Sequence, residues 1–249
     1  MRIEDAVVLG CGTSHGVPMI GCDCAVCLSE DPRNKRTRSA IYLDGTLIDT
    51  PPELRLQLCR ERISKVDRVI FTHAHADHIM GIDDLRRFND INRKPLPIYA
   101  QPKVLDTLRA IVPYAFHTPE QVGGGVPVFE GHEAPDRLGE IELFEILHGK
   151  LPVLAVKVRG FAYLTDVNEI PPSAMERLRG IETLVLDATR LRPHPTHFHL
   201  EKALAVIAEL APQRAFLTHL NHDYDYAQWS AKLPKGVALS CDGLRIPIP

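Results

Sequence analysis

Four side chains able to hold a metal fall within the six residues His73-Ala74-His75-Ala76-Asp77-His78, directly after the β-branched run Val69-Ile70-Phe71. This string constrains the fold more than any other feature. A turn leaving a strand can aim alternate side chains into one cavity, so the chain must bring a strand end to a site. Imidazole and carboxylate together suit borderline cations such as zinc, manganese or iron. Ala74 and Ala76 are small enough to let the four groups converge. A lone histidine is usually a surface or satisfied core residue, but four donors at this spacing point to a metal.

A second cluster has a different chemistry. Cys22, Cys24 and Cys27 put three thiols into one short loop, while Cys11, Cys59 and Cys241 have no such neighbours and are expected to pack in the core. Clustered cysteines in a chain of this length indicate a metal site rather than a disulfide scaffold, and a reducing compartment, the cytoplasm. A closed zinc site needs a fourth ligand.

The 249 residues carry 45% hydrophobic and 24% charged side chains, enough to bury a core without covalent staples. The net charge of −3 argues against a broad nucleic-acid surface, which needs a concentrated positive field. No apolar run reaches the roughly 20 residues that span a bilayer, and Met1–Asp5 does not begin like a signal peptide.

Strands are expected at Ala6–Leu9, Ser39–Leu43, Thr46–Ile48, Arg68–Phe71 and Ile98-Tyr99. In the second half they are expected at Ile141–Leu147, Val153–Arg159, Ala162–Leu164, Thr183–Leu186 and Ala215–Leu217. Asp44-Gly45 is a two-residue hairpin signal. Helices are expected over Glu53–Glu61 (Leu54, Leu58 and Cys59 on one face), around Val104–Ile111, and over Pro172–Leu178, Leu200–Leu210 and Tyr226–Leu233. The stretch 111–137, with Gly123-Gly124-Gly125, reads as a long loop. With no linker in view, residues 1–249 are expected to form one domain of the α/β (α+β) class, two β-rich halves with interspersed helices.

The string His73-x-His75-x-Asp77-His78 resembles the signature of the metallo-β-lactamase superfamily, and the resemblance runs over nearly the whole chain. It implies a four-layer αββα sandwich with two divalent metals, zinc or manganese, at one edge. By that resemblance His73, His75 and His148 bind the first metal, Asp77, His78 and His219 the second, and Asp166 bridges both, while Asp49 supports the ligand loop. His148, Asp166 and His219 each end an apolar run, which suits projection from a strand end. The cysteine triplet is similar to that of a subgroup containing the phosphoribosyl cyclic phosphate phosphodiesterase of phosphonate breakdown. In that subgroup a histidine three residues after the second-metal ligand completes a structural zinc site, which places His222 with Cys22, Cys24 and Cys27.

The resemblance implies a phosphodiesterase acting on a small, cyclic phosphodiester. Two bridged metals lower the pKa of a shared water and supply a hydroxide nucleophile. Gly12-Thr13-Ser14-x-Gly16-Val17-Pro18, His148-Gly149-Lys150 and Thr196-His197-x-x-Leu200 match the same subgroup and place His197 at its catalytic histidine, which assists the leaving oxygen. His199 stands where an acidic residue is usual and His15 where a glutamine is usual, which bears on the substrate. His194 and His199 read as surface or capping neighbours. Arg86, Arg87 and Lys150 are candidate phosphate contacts; a solvated helix face is the better reading of the arginine pair, and the role of Lys150 is left open. The rival functions are a tRNA 3′-processing-type ribonuclease, whose basic arm has no counterpart here, and a non-catalytic metal-bound scaffold or sensor. The expected partner is a small phosphorylated substrate, with neither membrane nor nucleic acid, and a homodimer is left open.

Overall fold

The computed structural model describes residues 2–116 and 125–249; Gly123 and Gly124 of the expected long loop lie outside the described residues. Among the described residues fourteen strands follow in chain order: β1 (Asp5–Gly10), β2 (Ala40–Leu43), β3 (Thr46–Ile48), β4 (Arg68–Ile70), β5 (Leu96–Ala100), β6 (Phe129–Glu133), β7 (Arg137–Leu138), β8 (Ile141–His148), β9 (Leu151–Val158), β10 (Phe161–Leu164), β11 (Thr183–Asp187), β12 (Arg214–Thr218), β13 (Val237–Leu239) and β14 (Leu244–Pro247). They form two seven-stranded sheets, ordered β14-β1-β2-β3-β4-β5-β6 and β13-β12-β11-β10-β9-β8-β7.

Period-two alternation divides each strand between two cores. Ala6, Val8, Ile48 and Ile70 of the first sheet meet Val156, Phe161, Tyr163 and Val185 of the second between the sheets. The intervening residues Val7, Leu9, Leu47 and Val69 face outward and pack with Leu54, Leu58, Phe88 and Leu108 from covering helices. On the far side Ala162, Leu164, Leu184 and Leu186 do the same with Leu178, Ala203 and Val206. Sheets buried on both faces and covered by helices make the expected αββα sandwich. Among the described residues no helix is long and apolar enough to cross a membrane.

The hairpin at Asp44-Gly45 joins β2 to β3, which pair antiparallel with Leu43 opposite Thr46. Its φ angles of 33° and 88° are both positive, the requirement of the turn that matches strand twist. Most expected elements sit within a few residues of their observed bounds, and three expectations need correction. Cys59 is exposed, not core. The inner face of the Leu54–Arg60 helix is Leu54, Gln57 and Leu58, because i, i+3, i+4 spacing selects residue 57 and turns 59 away. Gln57 is accommodated there by donating to Thr37 Oγ1 at 2.8 Å and to the Arg38 carbonyl at 2.9 Å. The stretch 111–137 is not all loop: β6 pairs parallel with β5. It is an edge strand with only Phe129 buried, so it shows no alternation to read. The helix starting at Tyr226 ends at Ser230.

Candidate metal centre

The expected donors gather at one rim because the strands end there. Asp49 directly follows β3, His73 lies shortly after β4, His148 closes β8, Asp166 follows β10, Asp187 closes β11 and His219 follows β12. β3 and β4 run parallel, as do β10, β11 and β12, so their carboxyl ends share an edge, where open α/β sheets bind ligands. The short helix Ala76–Ile79, with His75 as its N-cap, folds the rest of the string back. Asp49, Asp166 and His219 all hold left-handed backbone, with φ of 64°, 51° and 56°. That conformation is costly for non-glycine residues and persists where the surroundings over-determine it.

Two clusters result. Ligand atoms of His73, His75 and Asp166 lie within 4.8 Å of one another, as do those of Asp77, His78 and His219. Asp166 reaches both: Oδ2 is 3.8 Å from His73 Nε2, and Oδ1 is 3.1 Å from His78 Nε2 and 3.4 Å from His219 Nδ1. His148 groups with Asp166 and His197, its ring 5.1 Å from that of His75. Two of the imidazoles are clearly oriented from behind. Asp49 Oδ2 holds His78 Nδ1 at 2.8 Å, while Asp49 also accepts the Thr72 amide and hydroxyl. The Thr196 carbonyl accepts His148 Nδ1–H at 2.6 Å. Such bonds fix the tautomer that leaves the other nitrogen facing inward.

Burial and charge agree with cation binding. Burial holds the His73 imidazole well below the usual histidine range. Burial also opposes charge on His78, but Asp166 and Asp49 outweigh it and raise that imidazole well above its ordinary value. His219 and His78 in turn overcome the burial of Asp166 and hold its carboxyl well below the carboxylate range. His73 Nε2 and His78 Nε2 are buried without a hydrogen-bond partner. Orphaned buried nitrogens call for an unseen partner, and the imidazole–carboxylate donor set suits a borderline divalent ion.

Cys22, Cys24 and Cys27 Sγ stand 3.3, 3.6 and 3.5 Å from His222 Nδ1. A tetrahedral zinc with ordinary Zn–S and Zn–N lengths has edges of about 3.6 Å, so the four donors fit that ion. The Cys27 amide donates to Cys24 Sγ and lowers that thiol, while burial pushes Cys27 up to about 11. Cation binding here must therefore release protons.

His197 stands between the rim and solvent. Its Nδ1 is 2.7 Å from Asp187 Oδ2 and its Nε2 is 4.0 Å from Asp166 Oδ2. Burial works against its charge, but Asp187 prevails and raises its pKa. Asp187 escaped the sequence reading, although it ends an apolar run just as Asp49 and Asp166 do. His194, expected to be a surface or capping neighbour, is half-buried with its ring 4.9 Å from that of His197. His199 is the N-cap of the Leu200–Leu210 helix, but its side chain makes no capping bond. His15 and Lys150 are exposed. Arg86 and Arg87 pair with Asp83 and Asp90 on their own helical segment, a solvated face. A groove of about 800 Å³ between Gln101, Phe144 and Arg177 shares no residue with the centre. A cavity of about 260 Å³ adjoins it instead, lined by Thr13, His15, Arg190, His194 and His197.

Residues 46–220 match the β-lactamase superfamily domain. The chain belongs to that superfamily. A solved diphosphatase of the PhnP family is 37% identical, with a TM-score of 0.90 over 99% of this chain and 98% of its own, which places the chain in the PhnP-like subgroup. An octanoyltransferase of Porphyromonas gingivalis is 35% identical over 96% of this chain. The chain spans about half the length of that curated relative, 50%. Zn²⁺-bound PqqB of Methylobacterium extorquens, 21% identical with a TM-score of 0.74 over 98% of this chain and 100% of its own, shares the fold. The fold family implies divalent metals.

Proposed function

We propose that the chain is a dinuclear metal-dependent hydrolase that opens a phosphodiester bond of a small, cyclic substrate. A diphosphate bond is a second reading, supported by the 37% identity to a PhnP-family diphosphatase. The seven expected ligands His73, His75, Asp77, His78, His148, Asp166 and His219 hold two divalent ions, zinc or manganese. Cys22, Cys24, Cys27 and His222 hold a structural zinc. When bound, the two ions supply Lewis acidity to a phosphoryl oxygen and an activated water.

The observation that carries the reading is the His197–Asp187 pair at 2.7 Å. Asp187 accepts from Nδ1–H, keeps the ring oriented and stabilises its protonated form. His197 Nε2 then faces the rim with a proton to give to the departing oxygen. Acid assistance of this kind contributes ~10²–10⁴-fold. Asp187 is itself held by the Val167 amide at 3.0 Å and the Thr189 hydroxyl at 2.7 Å. Thr72 and Asp49 keep the ligand string from rotating, so the site's geometry precedes the substrate.

The test is turnover by manganese-loaded protein of bis-p-nitrophenyl phosphate, nucleoside 2′,3′-cyclic phosphates and a tRNA precursor. Hydrolysis of the small diesters is expected, with turnover of the cyclic phosphates falling steeply in His197→Ala and that of the nitrophenyl diester falling less. Cleavage of the tRNA precursor alone would select the ribonuclease, and turnover of none the non-catalytic scaffold.

A further inference from the structure

Thr196 faces two histidines at once. Its carbonyl accepts from His148, while its amide N–H donates to His194 Nδ1 at 3.2 Å, with its hydroxyl 3.3 Å from the same nitrogen. An amide can only donate, so His194 Nδ1 is an acceptor. A neutral imidazole with Nδ1 accepting carries its proton on Nε2. His194 is thereby fixed as a single-donor group.

The cavity beside it is built from donors. Thr13, Ser14, His15, Arg190 and Asn221 share its wall with His194 and His197, and no aspartate or glutamate lines it among the described residues. Arg190 is anchored through Nε and Nη2 to the carbonyls of Arg192 and Pro193, which holds its charge at the wall. Hydroxyls, imidazoles and a guanidinium without a carboxylate make a place for an anion. The volume of about 260 Å³ admits a phosphoryl group with part of its substituent.

We propose that His194 is a substrate contact: its Nε2–H donates to an anionic oxygen of the leaving group, the second phosphoryl of a diphosphate ester, in the cavity between His197 and the Thr13–Gly16 loop. This rests on the second reading above, in which the bond opened is a diphosphate. His197 serves the oxygen that departs, and His194 the charge one atom beyond it. The chain therefore prefers leaving groups that carry their own phosphate over uncharged or diffuse ones.

Two near-isosteres separate substrate contact from loop support. In His194→Asn the amide oxygen replaces Nδ1 and keeps the Thr196 bond, but the outer donor is gone. In His194→Gln the amide nitrogen replaces Nε2 and keeps the donor. Each variant is assayed on P1,P2-dithymidine 5′-diphosphate and on the p-nitrophenyl ester of thymidine 5′-monophosphate, which differ only in the leaving group. His194→Asn should raise KM on the diphosphate about tenfold more than on the nitrophenyl ester, the loss of one hydrogen bond to a charged acceptor. His194→Gln should show less than about a threefold difference. Rescue by Asn and not by Gln, or equal penalties on both substrates, overturns the proposal in favour of a positioning role. If wild type turns over neither substrate, the functional reading fails, and calorimetric binding of thymidine 5′-monophosphate decides His194 by itself. Weakened binding in Asn but not Gln supports the contact; unchanged binding in both removes it.

Discussion

The two metal clusters lie close together, and they are built by opposite means. The histidine–aspartate rim draws on strand ends from both sheets, with His73 and His78 fully buried and Asp166 and His219 at 1% exposure. The cysteine cluster draws on one loop plus His222, with Cys22 and Cys24 half-buried. In the rim the buried imidazoles lean on other groups: Asp49 behind His78, the Thr196 carbonyl behind His148, Ser39 Oγ 3.2 Å from His219 Nδ1. In the loop the donors lean on one another. A site made by rigid scaffold can keep a coordination position open for chemistry, whereas a site that folds its own loop is closed by its ligands.

The largest expected effect breaks the rim alone. Asp166→Ala should reduce turnover to background, because it takes away the carboxylate shared by both clusters. Elemental analysis of wild type should give about three metals per chain, and the variant should retain the thiolate-bound one. If Asp166→Ala kept two metals and its activity, the shared-carboxylate role would be wrong.

Next comes His197, which belongs to neither expected ligand set but stands against His148, Asp166 and His219. His197→Ala should lower kcat on a diester with a poor leaving group by roughly 10²–10⁴-fold at unchanged metal content. The loss should shrink on a p-nitrophenyl ester, whose leaving group departs unprotonated. Equal losses on both substrates would mean that His197 is not the acid.

Asp187→Asn should cost roughly ten- to a hundredfold, short of the full ~10²–10⁴-fold acid contribution, since His197 remains but loses its orienting charge. The same leaving-group contrast should persist in weaker form. A fall in melting temperature without that contrast would reduce Asp187 to a structural residue holding Val167 and Thr189.

The smallest catalytic effect belongs to the loop. Cys24→Ser should lower the melting temperature by about 5 °C or more, a loss of about 2 kcal/mol in a chain of this size. The folded fraction should retain activity within a few-fold. A variant that melts like wild type but is inactive would overturn the division of labour between the two clusters.

The rim was legible where its donors are local. His73 to His78 stand in one turn, and the cysteines in one loop, so spacing alone reveals a shared target. His148, Asp166 and His219 were legible as residues ending apolar runs once the superfamily resemblance set their order. Asp187 carries the same signature, but its partner lies ten residues on in a loop rich in proline, and no local pattern couples them. His194 was read as bland because its role depends on the direction of one peptide, which composition does not encode. The sandwich was legible through alternation in its central strands. β6 and the short β13 were not, since an edge strand has little buried surface with which to write a pattern. Cys59 was misjudged because a helical face of one residue more or less changes which side chain is inside.

The thiolate cluster has a consequence for how the protein is made. Its cysteines and its histidine are 195 to 200 residues apart in sequence. Synthesis proceeds at about 5–20 residues per second, so the three thiols emerge from the ribosome roughly 10–40 seconds before the residue that completes their set. For that interval the nascent chain carries an unfinished ligand loop, open to oxidation or to capture of the wrong ion. Translation speed and cellular thiol balance should therefore influence the yield of correctly folded protein.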